Sequence, residues 1–442
     1  MIDIEKGKFD LLKSLSDQSD AIIKHSDSKN PEKTWMYRVT QGFWNEVYQA
    51  RETGRPIILC SPNVPQEMIY AMGAVPLPVD SLPTRLASSD RSFRYIDISE
   101  QYVPTTVCSI NKVNFGTIFS GDLGFVPAAM VYCSLPCDSS RSTYPAMADY
   151  LNRTYGVPVF VVDTPWRKDD AGYKYIAGNL KRAYEFLLNV LHKEHDPEAM
   201  AHYLRNSNRV EELMCLIGDM RKQVPCPQGG RLLTLNGMVT CCMGSEYMLQ
   251  YVETQYKETK KLFDAKQSVL KSGRERYRVL FMQNMMWNYG SVMDWMEKEF
   301  DACTVLNGFP FLGREQIDDV YDEEEIWMGL AKRCMGSPMV HSVCGPGTAY
   351  ADGLEHIMED FTIDVGLFAG HVGCKHSWAM QRMATDVVEK KHGAPCLTFD
   401  LDAGDIRYKS EADVKAAIYD FFDTLAARGY EPGLERMKAM KK

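Results

Sequence analysis

The sequence predicts an α/β protein of two Rossmann-like lobes, each built on a parallel sheet, with a helical insert bridging them. Three observations carry this. Short apolar runs at 57–60, 128–133 and 159–162 alternate with helical patterns, and apolar strands between helices imply a parallel sheet covered on both faces. A second set at 279–282, 303–306, 365–369 and 397–401 repeats the arrangement. Between the two sets, from about Gly172 to Ala265, the strand signal disappears. The expected organisation is a helical segment over 1–54, a first α/β lobe over 55–171, a helical insert over 172–275 and a second α/β lobe over 276–442.

The elements follow in order. Trp35, Val39, Phe43 and Val47 recur every four residues and Gly54 stands in a stop position, which predicts a helix. Pro65 opens a helix that runs to about Gly73. A helix between the second and third strands ends near Gly156. Ile176, Leu180, Tyr184, Leu187 and Leu191 form a helical stripe, and PCPQGG at 225–230 breaks the insert in two. A last helix covers 412–427. No short-period repeat is visible.

The chain has 442 residues, which at roughly 150 per domain suggests two or three domains. Hydrophobic residues make up 45% and charged residues 25%, ordinary globular values that exclude disorder and collagen-like repeats. The formal net charge is −9, and no basic stripe stands out, so no nucleic-acid partner is expected. MIDIEKGKFD at the amino terminus is charged and lacks an apolar stretch, so no secretory signal is expected. No apolar run reaches the length of about 18 residues that a membrane span needs. The expectation is a cytoplasmic protein without a membrane partner.

Thirteen cysteines are present. An odd number cannot pair fully within one chain, and reduced thiols are expected in that compartment. Most read as small buried apolar residues, as in ACTV around Cys303 and PCLTF around Cys396. Three stand apart, each at a strand-to-helix or loop-to-helix junction among small or turn-forming residues. They are Cys108 in VPTTVCSINKVNFG, Cys137 in MVYCSLPCDSS and Cys374 in FAGHVGCKHSW. No compact zinc or ferredoxin spacing joins them, so spacing alone favours structural cysteines. Their place near strand carboxyl ends, where open α/β sheets bind ligands, points to a site without naming it.

The same segments carry a family resemblance. CSPNVPQEMIYAMGAVPLPVD at 60–80, VCSINKVNFG at 107–116, VYCSLPCDSS running on to YGVPVFVVDTPW, HVGCKHSWAM, and GAPCLTFDLDAGDIRY occur in order over about 55–430. Together they resemble a subunit of the 2-hydroxyacyl-CoA dehydratase and benzoyl-CoA reductase family. The resemblance implies a 4Fe-4S cluster between the lobes, held by Cys108, Cys137 and Cys374, with one iron left open or ligated by something other than Cys. It implies an acyl-CoA substrate and a related second iron–sulfur subunit, in a heterodimer, or else a homodimer. It also implies a separate ATP-hydrolysing activator; the chain itself has no GxxxxGK[ST] motif. In such a subunit one low-potential electron placed in the thioester carbonyl gives a ketyl, which expels the 2-hydroxyl. Alternatives within the resemblance are a benzoyl-CoA reductase-type subunit reducing an aromatic acyl-CoA, and a double-cubane reductase of small molecules.

The resemblance also places candidate substrate contacts. The family's Ser and Glu near the first strand fall at Pro62 and Asp80, with Ser61 one step away; Ser61 and Asp80 are the catalytic candidates. The ordinary reading of Asp80 is a loop carboxylate. Arg167 and Lys168, after the 159–162 strand, are candidate partners for the CoA phosphates, on position alone. Cys133 and Cys344 read as buried thiols. Glu67 reads as a carboxylate complementing a helix start, and His192 and His195 as an exposed helix end. His371 and His376 flank Cys374 as candidate donors to a cluster sulfur or a substrate carbonyl, beside the alternative of surface histidines. The Gly345–Thr348 turn is weak evidence for an anion site.

Overall fold

The computed structural model describes residues 9–87, 91–283, 289–307, 315–337, 339–340 and 344–440. The expectation drawn from residues 1–8 lies outside them. Two four-stranded, wholly parallel sheets form the frame. The first contains β1 (Ile57–Cys60), β2 (Val75–Pro78), β3 (Ala129–Cys133) and β4 (Val159–Val162), in the order β2-β1-β3-β4. The second contains β5 (Tyr277–Met282), β6 (Ala302–Asn307), β7 (Val365–His371) and β8 (Cys396–Leu401), in the order β6-β5-β7-β8. The strand order is the same in both. In each the chain steps outward one way from its first strand, then returns to that strand's other side. Each sheet therefore has a switch point, β1/β3 in one and β5/β7 in the other, where a crevice opens at the strand carboxyl ends.

The seven strands read from the sequence are present, and β2 is an addition to them. Its sequence, VPLP, carries two prolines, which argue against a central strand. They are tolerated because β2 lies at the sheet edge. Val75 N donates to Pro56 O (2.8 Å) and Val79 N to Cys60 O (2.9 Å), so alternate residues face β1 while Pro76 and Pro78 need no donor.

Helices cover the sheets for readable reasons. The Trp35–Thr53 helix buries Val39, Phe43, Trp44 and Val47 and stops at Gly54, whose φ of 74° is left-handed. Among the described residues, 163–276 hold helices and no strand. This stretch is packed into both lobes. The Asp170–Leu191 helix lies against β4 and against the Glu323–Gly336 helix of the second lobe. One apolar cluster runs from Ile58 and Val131 in the first sheet through Leu180 and Leu204 to Leu280 and Phe368 in the second.

Two wholly buried arginines fix the end of the helical stretch. Arg221 donates to Val305 O and Thr304 O, both at 2.7 Å. Arg278, in β5, donates to Arg221 O (3.0 Å), Gln223 O (3.0 Å) and Phe361 O (2.8 Å), and pairs with Glu275 (2.7 Å). A guanidinium in the interior needs its donors satisfied, and here backbone carbonyls of three segments do so. Among the described residues no helix is long and apolar enough to cross a membrane.

Candidate active site

Cys108, Cys137 and Cys374 line one cavity of about 200 Å³ at the carboxyl ends of the two sheets. Cys137 stands four residues beyond the end of β3 and Cys374 three beyond the end of β7, both strands at switch points. Cys108 is brought in from the loop that enters the Ser109–Ser120 helix. Apolar side chains of the helical stretch, Met214 and Ile217, complete the wall.

Each of the three is the N-cap of a helix. Ser140 N donates to Cys137 Sγ and Ser377 N to Cys374 Sγ, both at 3.4 Å. Three helix N-termini therefore face the cavity, a setting that favours negative charge on sulfur. Burial opposes it. It pushes the thiols of Cys108 and Cys374 up to about 12 and that of Cys137 up to about 11, so desolvation outweighs the helix ends and the metal-free groups are neutral thiols. A bound cation reverses that balance, because its charge replaces the lost solvent.

The lobes meet closely here. A Cβ on Gly373 would lie 2.8 Å from Cys108 Cα, a backbone atom, so only glycine fits beside Cys108. Cys108 N donates to Ser139 Oγ (3.1 Å), two residues past Cys137. Ser109 Oγ donates to Asp402 Oδ1, which also accepts from Gly404 N (2.9 Å) and Asp405 N (2.8 Å). The closing LDAGD segment thus braces the Cys108 helix against the second lobe.

Asp80 lines the same cavity. Its Oδ1 accepts from Asn114 and its Oδ2 from Tyr144 (3.0 Å). Burial raises its pKa above the usual carboxylate value, although both hydrogen bonds act the other way. It is a carboxylate held in the cavity wall by two donors. Asn114 and Tyr144 were not singled out in the sequence: Asn114 lies within the Cys108 motif and Tyr144 one helical turn beyond the Cys137 motif.

The other candidates are placed differently. Ser61 is fully buried and is not part of the cavity lining. Its hydroxyl accepts from Cys133 N (2.9 Å), continuing the β1–β3 ladder past the strand end, so its neighbour Pro62 lines the cavity in its stead. Arg167 and Lys168 also lie outside the lining. Arg167 is exposed and paired with Asp169 (2.8 Å); Lys168 donates to Val340 O (3.2 Å).

Of the remaining residues, Cys133 and Cys344 are buried, Cys133 beside Cys334 (3.9 Å) and Cys344 donating to Pro136 O (3.2 Å). Glu67 does more than complement a helix start: it is buried and paired with Arg333 of the second lobe (3.3 Å). His192 caps a helix end in the left-handed region and His195 bonds Tyr184 (2.9 Å). His371 is buried rather than on the surface, with Nε2 3.1 Å from Cys108 Sγ. His376 Nε2 accepts from Asp138 N (3.4 Å). Gly345 and Gly347 are not in the cavity lining.

Among the described residues, no three His, Cys, Asp or Glu side chains converge tightly enough to hold a single metal ion. The three thiols line one cavity. That suits a polynuclear cluster, whose ligands sit on separate irons, and the donor set is soft thiolate, the type such clusters take.

Two parallel-sheet lobes, with three cysteines lining one cavity near their strand carboxyl ends, place the candidate site where open α/β sheets bind ligands. Residues 62–425 match the family described as 2-hydroxyglutaryl-CoA dehydratase, D-component. The chain belongs to that family. It is also similar to the (R)-phenyllactyl-CoA dehydratase alpha subunit of Clostridium sporogenes, at 19% identity over 263 residues. That alignment covers 58% of this chain and 64% of the relative, so the chain spans just under two thirds of the length of the curated relative it matches.

Proposed function

We propose that this chain is the iron–sulfur subunit of a 2-hydroxyacyl-CoA dehydratase, with Cys108, Cys137 and Cys374 as the three protein ligands of a 4Fe-4S cluster. The observation that carries the reading is the convergence of these three cysteines, from motifs far apart in sequence, on one cavity, within a chain of the dehydratase D-component family. When bound, the cluster supplies a single low-potential electron to the acyl thioester, which overcomes the low acidity of the β-proton.

The chain's own residues do the rest. The three helix N-termini stabilise the negative charge of the thiolates. The apolar wall of Met214 and Ile217 excludes water from the reacting carbonyl. Asp80, held by Asn114 and Tyr144, is the acceptor that takes a proton or a hydroxyl hydrogen bond from the substrate. The net reaction removes the 2-hydroxyl and a β-hydrogen as water and is redox-neutral. A related second subunit completes the enzyme, as the alpha-subunit naming of the similar clostridial protein suggests. A separate ATP-hydrolysing activator delivers the electron.

The test is anaerobic purification with any co-purifying subunit, followed by iron and sulfide analysis. The activated preparation is then assayed with a 2-hydroxyacyl-CoA and with an aryl-CoA. The reading expects about four irons and four sulfides for each cluster and dehydration of the hydroxyacyl thioester. Reduction of the aryl-CoA alone contradicts the dehydratase assignment, and absence of iron contradicts the cluster.

A further inference from the structure

We propose that His371 donates a hydrogen bond from Nε2 to the Cys108 sulfur, is locked in that tautomer by the Ala403 backbone, and thereby raises the reduction potential of the cluster, an inference that rests on the cluster reading above. His371 ends β7 and is 1% exposed. Ala403 N lies 3.2 Å from its Nδ1. A backbone amide only donates, so Nδ1 presents its lone pair. An imidazolium has no lone pair on either nitrogen, so the ring is neutral and its one proton is on Nε2. That nitrogen is 3.1 Å from Cys108 Sγ.

The arrangement decides between two roles a histidine has beside a metal. A ligand needs the lone pair on Nε2, which would put the proton on Nδ1, facing the Ala403 N–H. His371 is therefore a donor to sulfur and not the fourth ligand. Asp402 Oδ1 lies 3.8 Å from Nδ1, beyond hydrogen-bond reach. The ring is boxed as well: a Cβ on Gly373 would stand 3.3 Å from its Nε2 and 3.4 Å from its Cε1. His371 is thus a positioning residue that acts through Cys108. Donors to ligand sulfur draw off negative charge and stabilise the reduced, more negative cluster.

The test measures iron content and midpoint potential of the anaerobic enzyme, wild type against His371→Leu and His371→Gln. His371→Leu should keep its iron and shift the reduced-to-oxidised ratio at fixed potential about tenfold toward oxidised, about 59 mV for one electron. His371→Gln, whose side-chain amide restores a donor at a similar reach, should recover most of the shift. Iron lost from Leu but kept in Gln also supports the donor. Equal potentials in wild type and Leu, or iron lost from both variants, overturns it. A measurement independent of these variants uses ¹⁵N-histidine in a His376→Gln background, which removes the other cavity histidine among the described residues. A weak ¹⁵N coupling to the reduced cluster is expected. No coupling, or the strong coupling of a direct ligand, overturns the role. Wild-type protein without iron overturns the cluster reading together with this one.

Discussion

Asp138 and Lys375, each the residue directly after a cavity cysteine, form an ion pair at 2.6 Å that joins the first lobe to the second. Lys375 Nζ also approaches Thr106 O at 3.4 Å, just before the third cysteine. One lysine therefore touches all three cysteine segments. Its side chain is 57% exposed and that of Asp138 39%, so solvent screens the pair and its role is to register the segments more than to stabilise the fold.

A double-mutant cycle with Asp138→Ala and Lys375→Ala should accordingly give a coupling below about 1 kcal/mol by thermal denaturation, shrinking further in high salt. A coupling of several kcal/mol would show that the pair is far better shielded than its exposure indicates.

Gly373→Ala tests how closely the lobes approach. The added Cβ would meet the Cys108 backbone, and overpacking of this kind costs roughly 1–3 kcal/mol. The variant should fold with a lower melting temperature and with reduced iron, because Cys108 and Cys374 are pushed apart. Wild-type iron and stability together would mean that the cleft opens freely.

Glu211, buried in the helical stretch near Arg333, gives a pH prediction. Burial pushes its carboxyl from 4.5 up to about 7, and its Oε2 has no hydrogen-bond partner among the described residues. A raised folded pKa means the folded state binds the proton more tightly. The associated stability is fully present below about pH 4.5 and is lost as pH rises through about 7. Glu211→Gln removes the ionisation, so it should change little at pH 5 and raise stability at pH 8, by no more than about 3 kcal/mol. Glu297 is pushed up to about 7 as well, so some slope over the same range will persist. A melting curve destabilised at pH 8 by the substitution would contradict the assignment.

Asp80→Asn separates the acceptor from the cluster. The amide nearly preserves shape but cannot take a proton, so turnover of a 2-hydroxyacyl-CoA should fall on the order of 10²-fold while iron stays at the wild-type level. Undiminished turnover removes Asp80 from the reaction.

The two sheets were legible because buried parallel strands read as plain apolar runs, and the stops at Gly54 and Gly156 are left-handed glycines. The β2 strand was not, since its prolines mimic a loop and only the sheet edge excuses them. The cysteine triad showed as three similar junctions, but a linear spacing cannot reveal that β3 and β7 occupy equivalent switch points. Ser61 and Asp80 illustrate the limit: both follow first-lobe strands, yet Ser61 is held by the Cys133 backbone of β3 while Asp80, at a helix start, lines the cavity. Arg221, Arg278 and Arg333 were not singled out in sequence, because what distinguishes them is the set of carbonyls and carboxylates folded around each.

The most direct test of the central claim is iron content, measured anaerobically, in Cys137→Ser beside Cys396→Ser. Cys137 caps a helix in the cavity wall, whereas Cys396 starts β8 and is not among the cavity-lining residues. A hydroxyl is a poor substitute for the soft thiolate a cluster needs. Cys137→Ser should therefore lose most of its iron while remaining folded, and Cys396→Ser should keep it, at a modest cost in stability. Full iron in Cys137→Ser would contradict the account.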